Sequence, residues 1–263
     1  MSQWVAFALL LGTLVPSLAG CQPTALTRQQ QELLHVGEES YSKQQFNQAI
    51  ESLSQFLAQA PERPEAARAY YIRAMSQAQS GRRGMAYSDL RDCLRIQNSG
   101  DTYWRALVVL GTLYYEDSRW SDAVTAFSDA LGRMPKAPPR DTVLYRLAVA
   151  YERSGQWAYS RSTFQELVDS SPGSSFVDAA RRRLELNASA YSIQCGAFAD
   201  PQKADVQKIE LQRKGMNVWV RRDQRARSTL YTVLVGKFAT YDDAQRSLGL
   251  VKQQVQDAVI WPG

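Results

Sequence analysis

Gly37, Ala74, Gly111 and Ala148 recur at a spacing of 37 residues. Twelve positions after each stand Ala49, Ala86, Ala123 and Ser160, and four further on Leu53, Leu90, Phe127 and Phe164. Pro61, Pro135 and Pro172 close three of these units, and Asn98 takes the equivalent place in the other. A fixed period of this length restricts the chain to an array of like units, each burying its apolar face on the next. A small residue in each of two helices lets the backbones approach, and the large apolar residue one turn on fills the space between units. Proline then ends the helix, because it lacks an amide hydrogen and its ring clashes with the preceding turn. The spacing predicts four helix-turn-helix units over residues 30–188, after a linker at 22–29. The amphipathic stretch "SSFVDAARRRLEL" after Pro172 supplies the polar cap that the end of such an array needs.

The pattern resembles the tetratricopeptide repeat, most clearly at Leu110, Gly111, Tyr114, Ala123, Phe127, Ala130 and Pro135. That repeat has a usual period of about 34 residues, so the extra residues lengthen the connections. Gln77 stands where an aromatic residue is common in the family. The resemblance implies a curved all-α solenoid that holds a protein partner, whose identity it does not give. Tyr70, Tyr71, Tyr114, Tyr115 and Tyr151 are expected mainly to pack between helices.

Beyond residue 188 the periodicity changes from helical to alternating. "YSIQCGAF" from Tyr191 nearly returns as "YTVLVGKF" from Tyr231, an offset of 40 residues. "DPQKADVQKIELQRKG" and "TYDDAQRSLGLVKQQVQ" read as helices, "MNVWVRR" and "DAVIWP" as further strands, and "DQRARS" as a turn. The order βαββαβ predicts a small α+β domain of ferredoxin-like type over residues 189–263, with strands in the order 4-1-3-2. Alternation turns Ile193, Cys195, Val218, Val220, Val233, Val235, Ala258 and Ile260 toward the helices. Ser192, Gln194, Trp219, Arg221, Thr232, Leu234, Val259 and Trp261 then share the other face.

Tyr191, Ile193, Gln194, Gly196, Ala197, Phe198, Gly215, Tyr231, Val233, Val235, Gly236, Phe238 and Ala244 together resemble a SPOR domain, the septal peptidoglycan-binding module of bacterial envelope proteins. Members often carry a basic residue after the second tyrosine, where this chain has Thr232. The resemblance implies that the open sheet face binds glycan strands stripped of stem peptides. Ser192, Gln194, Trp219, Arg221, Thr232, Leu234 and Trp261 are the expected contacts. Indole rings suit the C–H face of a pyranose, and amide, hydroxyl and guanidinium groups suit its hydroxyls and N-acetyl carbonyls. The run Arg221, Arg222, Arg225, Arg227 is expected to be a solvated loop face.

At the N-terminus "WVAFALLLGTLVPSLAGC" is an apolar run ending in small residues, the shape of a secretory signal. Leu18, Ala19, Gly20 and Cys21 resemble a bacterial lipobox, which implies a lipoprotein signal over residues 1–21, cut before Cys21 so that this cysteine becomes the first residue and is acylated. Several acyl chains anchor a soluble body stably on a membrane. An uncleaved anchor or a misplaced start codon is the alternative. Gln22 in place of Asp points to the outer membrane by an enterobacterial-type sorting rule.

Little in the chain suggests catalysis. One histidine, His35, leaves zinc-hydrolase and Ser-His-Asp arrangements without parts. Asp242 and Asp243 open a helix, where they complement its dipole. No phosphate loop is present, and inventory alone leaves only a carboxylate glycosidase conceivable. Neither a metal nor a cofactor is expected. The net charge of +5 is spread over scattered residues with no basic block, and the aromatic-rich strand of RNA-binding sheets is missing, so no nucleic-acid partner is expected. The expected protein is a non-enzymatic envelope lipoprotein that binds glycan and recruits a partner in division or wall remodelling. A scaffold for outer-membrane protein assembly is the alternative.

Overall fold

A computed structural model describes residues 25–225 and 228–262. The apolar leader and Cys21 lie outside the described residues, as does Arg227. Eight helices form four antiparallel pairs: α1 (Arg28–Ser42) with α2 (Phe46–Gln59), and α3 (Pro64–Gln79) with α4 (Arg83–Ile96). Then come α5 (Gly100–Glu116) with α6 (Trp120–Leu131), and α7 (Arg140–Arg153) with α8 (Trp157–Ser170). Helix α9 (Val177–Leu186) follows as the cap. The first helix begins at a capping box, in which Thr27 and Gln30 each accept the other's backbone N–H. Helices α2, α6 and α8 stop short of Pro61, Pro135 and Pro172.

The repeated columns pack on one another. Ala49, Ala86 and Ala123 are fully buried, and Ser160 nearly so. Gly37 faces Leu53 and Gly111 faces Phe127, so each large side chain fills the notch that a glycine leaves on the opposite helix. A Cβ on Gly37 would lie 2.5 Å from Leu53 Cγ. Gly37→Ala is therefore expected to force α1 and α2 apart at a cost of about 1–3 kcal/mol, measurable as a lowered thermal midpoint.

After the cap come β1 (Tyr191–Phe198), α10 (Pro201–Arg213), β2 (Val218–Arg225), β3 (Ser228–Phe238), α11 (Tyr241–Lys252) and β4 (Val259–Pro262). The strands form one antiparallel sheet in the order β2-β3-β1-β4, as the βαββαβ pattern predicts. Both helices lie on one face, over a core of Ile193, Cys195, Val218, Val233, Val235 and Ala258 with Ala204, Leu211 and Val251. Strands β2 and β4 begin two residues later than the sequence expectation, and two other boundaries differ more. The hairpin is longer, with β2 running through Asp223 to Arg225 where a turn was expected. Helix α11 ends at Lys252, earlier than its apolar spacing suggested.

Cys93 and Cys195 are free and buried in separate cores. Burial pushes their thiols up to about 12 and about 11, which keeps both protonated. Among the described residues no helix is long and apolar enough to cross a membrane, and no cluster of His, Cys, Asp or Glu could hold a metal ion.

Candidate functional site

The face of the sheet opposite the helices is built from three cross-strand rows. Gln194 on β1 pairs with Leu234 on β3 and Val259 on β4, and Leu234 pairs with Trp219 on β2. Ser192 pairs with Trp261, and Arg221 pairs with Thr232. The register thus brings all seven expected side chains to one side of one sheet. That face is less open than expected. Ser192 and Leu234 are fully buried and Thr232 nearly so. The cause lies in the large side chains at the two edges. The Arg221 guanidinium carbon, from edge strand β2, lies 5.6 Å from the ring centroid of Trp261, on the opposite edge strand β4. Such a contact has to close over the two central strands. Ser192 is further tied down by donating from its hydroxyl to the Gly236 carbonyl at 2.8 Å. Of the seven, Gln194, Trp219, Arg221 and Trp261 keep some accessible surface, and Val259 beside them is exposed.

Two further side chains of this face were not expected from the sequence. Asp223, placed on the face by the longer hairpin, pairs with Arg221 (Nε–Oδ1 2.9 Å) and accepts from the Thr232 hydroxyl at 3.1 Å. Asp223 thereby fixes the guanidinium above Thr232, the very position where the basic residue of the family is missing. Lys237 is the second. Alternation assigns it to the helix side with Val233 and Val235. Gly236, however, has a φ of 71°, open to glycine at little cost, and this kink in β3 swings Lys237 across. Its ammonium sits 5.0 Å from the centroid of the Trp219 ring. The ring is held in turn by its own N–H donating to the Gly236 carbonyl at 3.2 Å. The Trp261 indole N–H is shut from solvent and has no acceptor among the described residues.

The tetratricopeptide repeat family matches residues 37–83 and 105–175, and the SPOR domain family matches residues 187–261. The chain carries tetratricopeptide repeats and a SPOR domain. The repeats are similar to a crystal structure of a tetratricopeptide repeat protein from Parabacteroides merdae, at 17% identity and a TM-score of 0.53, over 61% of this chain. The chain spans 60% of that protein's length. They are also similar to a MamA protein at 16% identity and TM-score 0.51, over 60% of this chain and 80% of that one. A MamA from Desulfovibrio magneticus, at 14% identity and TM-score 0.51, covers 72% of this chain and 98% of its own. At such identities these likenesses speak for the fold alone. No curated protein matches the chain. A SPOR domain implies peptidoglycan binding, and tetratricopeptide repeats imply protein–protein interaction; both are binding domains without catalytic machinery.

The SPOR domain does not hang free of the repeats. In the first three units a groove runs along α1, α3 and α5, with cavities of about 450 and 350 Å³ that share Tyr41 and Met75. Glu38, Met75 and Thr112 form one lining column at the repeat spacing, and Val149 is the fourth member of it. Tyr41, Ala78, Tyr115 and Glu152 form a second column at the same spacing. In the fourth unit both columns are covered: Val149 is buried in a cluster that Ala180 of α9 joins, and Glu152 is only 3% exposed. Glu152 Oε1 accepts from Arg183 of α9 at 2.5 Å and from the Tyr191 hydroxyl of β1 at 2.9 Å. Around this point Trp157 packs on Tyr191 (4.9 Å between centroids) and donates to the Ala239 carbonyl at 3.1 Å. The Arg153 guanidinium lies 3.4 Å above the centroid of Tyr241. Burial, and then the Glu152 carboxylate, raise the pKa of the Tyr191 hydroxyl and keep it a donor. Tyr191 belongs to the SPOR-like phrase, yet its hydroxyl is spent on the repeats.

Proposed function

We propose that this protein is a non-enzymatic envelope lipoprotein, anchored through Cys21, that docks on peptidoglycan glycan strands and carries a protein partner on its repeats. The observation that carries the proposal is the sheet face of a SPOR domain that presents two indoles, an amide and a guanidinium over a shallow surface. Ser192, Thr232 and Leu234 support that surface from beneath, and Gln194, Trp219, Arg221 and Trp261 are the contacts. The partner protein lies in the groove over the first three units, where Tyr41 and Met75 are accessible. Holding lipid and glycan at once raises the effective concentration of that partner at the wall. Glycan freed of stem peptides, which concentrates at the division septum, is the preferred surface, and the outer membrane is the site of anchoring.

Co-sedimentation of residues 22–263 with intact and with amidase-treated sacculi tests this. The chain is used whole because the repeats bury Tyr191. Pelleting is expected to rise after amidase treatment. Gln194→Ala is expected to weaken it about tenfold, the scale of one hydrogen bond to a ligand, with the thermal midpoint unchanged. Absence of pelleting with both kinds of sacculi would overturn the glycan function and leave the outer-membrane assembly scaffold.

A further inference from the structure

The two cations on the sheet face differ in kind. Arg221 is matched by Asp223, which contacts it through both carboxylate oxygens at 2.9 and 3.2 Å. Its charge is neutralised locally, and its geometry is fixed by the Thr232 hydroxyl on the same carboxylate. Lys237 is exposed and lies over an indole. Among the described side chains of the face it is the cation left without a carboxylate. An ammonium above a ring that a sugar can stack on reaches a substituent of that sugar, since stacking and ion pairing then use different edges of one ligand.

Glycan chemistry supplies the complementary group. Each muramic acid carries a lactyl ether whose carboxyl is tied up as an amide while a stem peptide is attached. Hydrolysis of that amide adds water across the C–N bond, releasing the peptide amine and leaving a free carboxylate on every second sugar. We infer that Lys237, thrown onto the sheet face by the kink at Gly236, is the residue that reads this freed lactyl carboxylate, with Trp219 as the stacking platform beside it. The inference rests on the glycan-binding function proposed above and gives it a charge-based source of preference for stripped strands. Arg221, already satisfied by Asp223, contributes shape and hydrogen bonding and little net charge.

The experiment compares residues 22–263 and their Lys237→Gln and Lys237→Arg variants on two forms of amidase-treated sacculi. One form has lactyl carboxylates free, and in the other they are converted to methylamides with carbodiimide and methylamine. Blocking the carboxylates is expected to weaken binding of the parent chain about five- to tenfold, the range for an exposed charged contact that also hydrogen-bonds. Lys237→Gln is expected to bind both forms equally at the weaker level, and Lys237→Arg to keep the difference. The preference of the parent is also expected to shrink as salt is raised. If Lys237→Gln distinguishes the two forms as well as the parent does, the carboxylate assignment is wrong while glycan binding stands. If the parent pellets with neither form, the glycan function itself falls, and the assignment with it.

Discussion

Replacing Glu152 by alanine is expected to lower stability by about 3 kcal/mol and to release the SPOR domain from the repeats. Glu152 is a carboxylate only 3% exposed that satisfies a guanidinium of the cap and a tyrosine hydroxyl of the sheet with one oxygen. Its removal leaves the Tyr191 hydroxyl buried without an acceptor, which costs about 1–3 kcal/mol by itself. Arg183 is 30% exposed at its side chain and can turn toward water, so the loss falls at the low end of the range for broken buried pairs. Glu152→Gln keeps an acceptor for the hydroxyl and is expected to lose less. Hydrogen exchange reports the outcome: amides of β1 and α11 should exchange earlier than those of α3 to α6 in the alanine variant and together with them in the parent. Equal protection throughout the alanine variant would show that the aromatic contacts of Trp157, Tyr241 and Arg153 hold the junction alone.

Phe127→Ala is expected to cost about 3–5 kcal/mol, the scale for emptying a fully buried aromatic site. Phe127 has no exposed surface and fills the space above Gly111, where a Cβ would lie 2.7 Å from its ring. The two positions therefore act as one fitted pair. Gly111→Ala alone drives a methyl group into the ring and should destabilise. In the Phe127→Ala background the same methyl group enters the vacated space and should be tolerated or mildly stabilising. A double-mutant cycle measured by denaturant unfolding reads this as a coupling of opposite sign to simple addition. Additive losses would mean that α5 and α6 relax independently and that the glycine column does not set their approach.

The fixed junction also bears on how the two binding surfaces work together. Because the fourth unit gives its groove positions to α9, β1 and α11, the groove available to a partner ends where the SPOR domain begins. On the proposed function, a partner in the groove and glycan on the sheet would keep a set relation to each other, whereas a flexible linker would let them drift.

The period of 37 residues was enough to determine a helical array, because small and large residues at fixed offsets can be buried only by stacking like units. The element order βαββαβ was likewise enough for the sheet and its strand order, and alternation for most of its two faces, since side-chain direction along a strand has a period of two. Tertiary structure decided what lies beyond local periodicity. Leu234, Thr232 and Ser192 are covered because Arg221 and Trp261 reach one another from opposite edges, a contact between residues 40 positions apart in the chain. Lys237 is on the sheet face because a single left-handed glycine breaks the alternation just before it. Glu152 occupies a groove position in the repeat pattern, and only the arrival of Tyr191 and Arg183 turns it into the buried acceptor that joins the two domains. Local pattern fixes which way a side chain leaves its own strand or helix; its surroundings are set by chain segments that the fold brings in from far along the sequence.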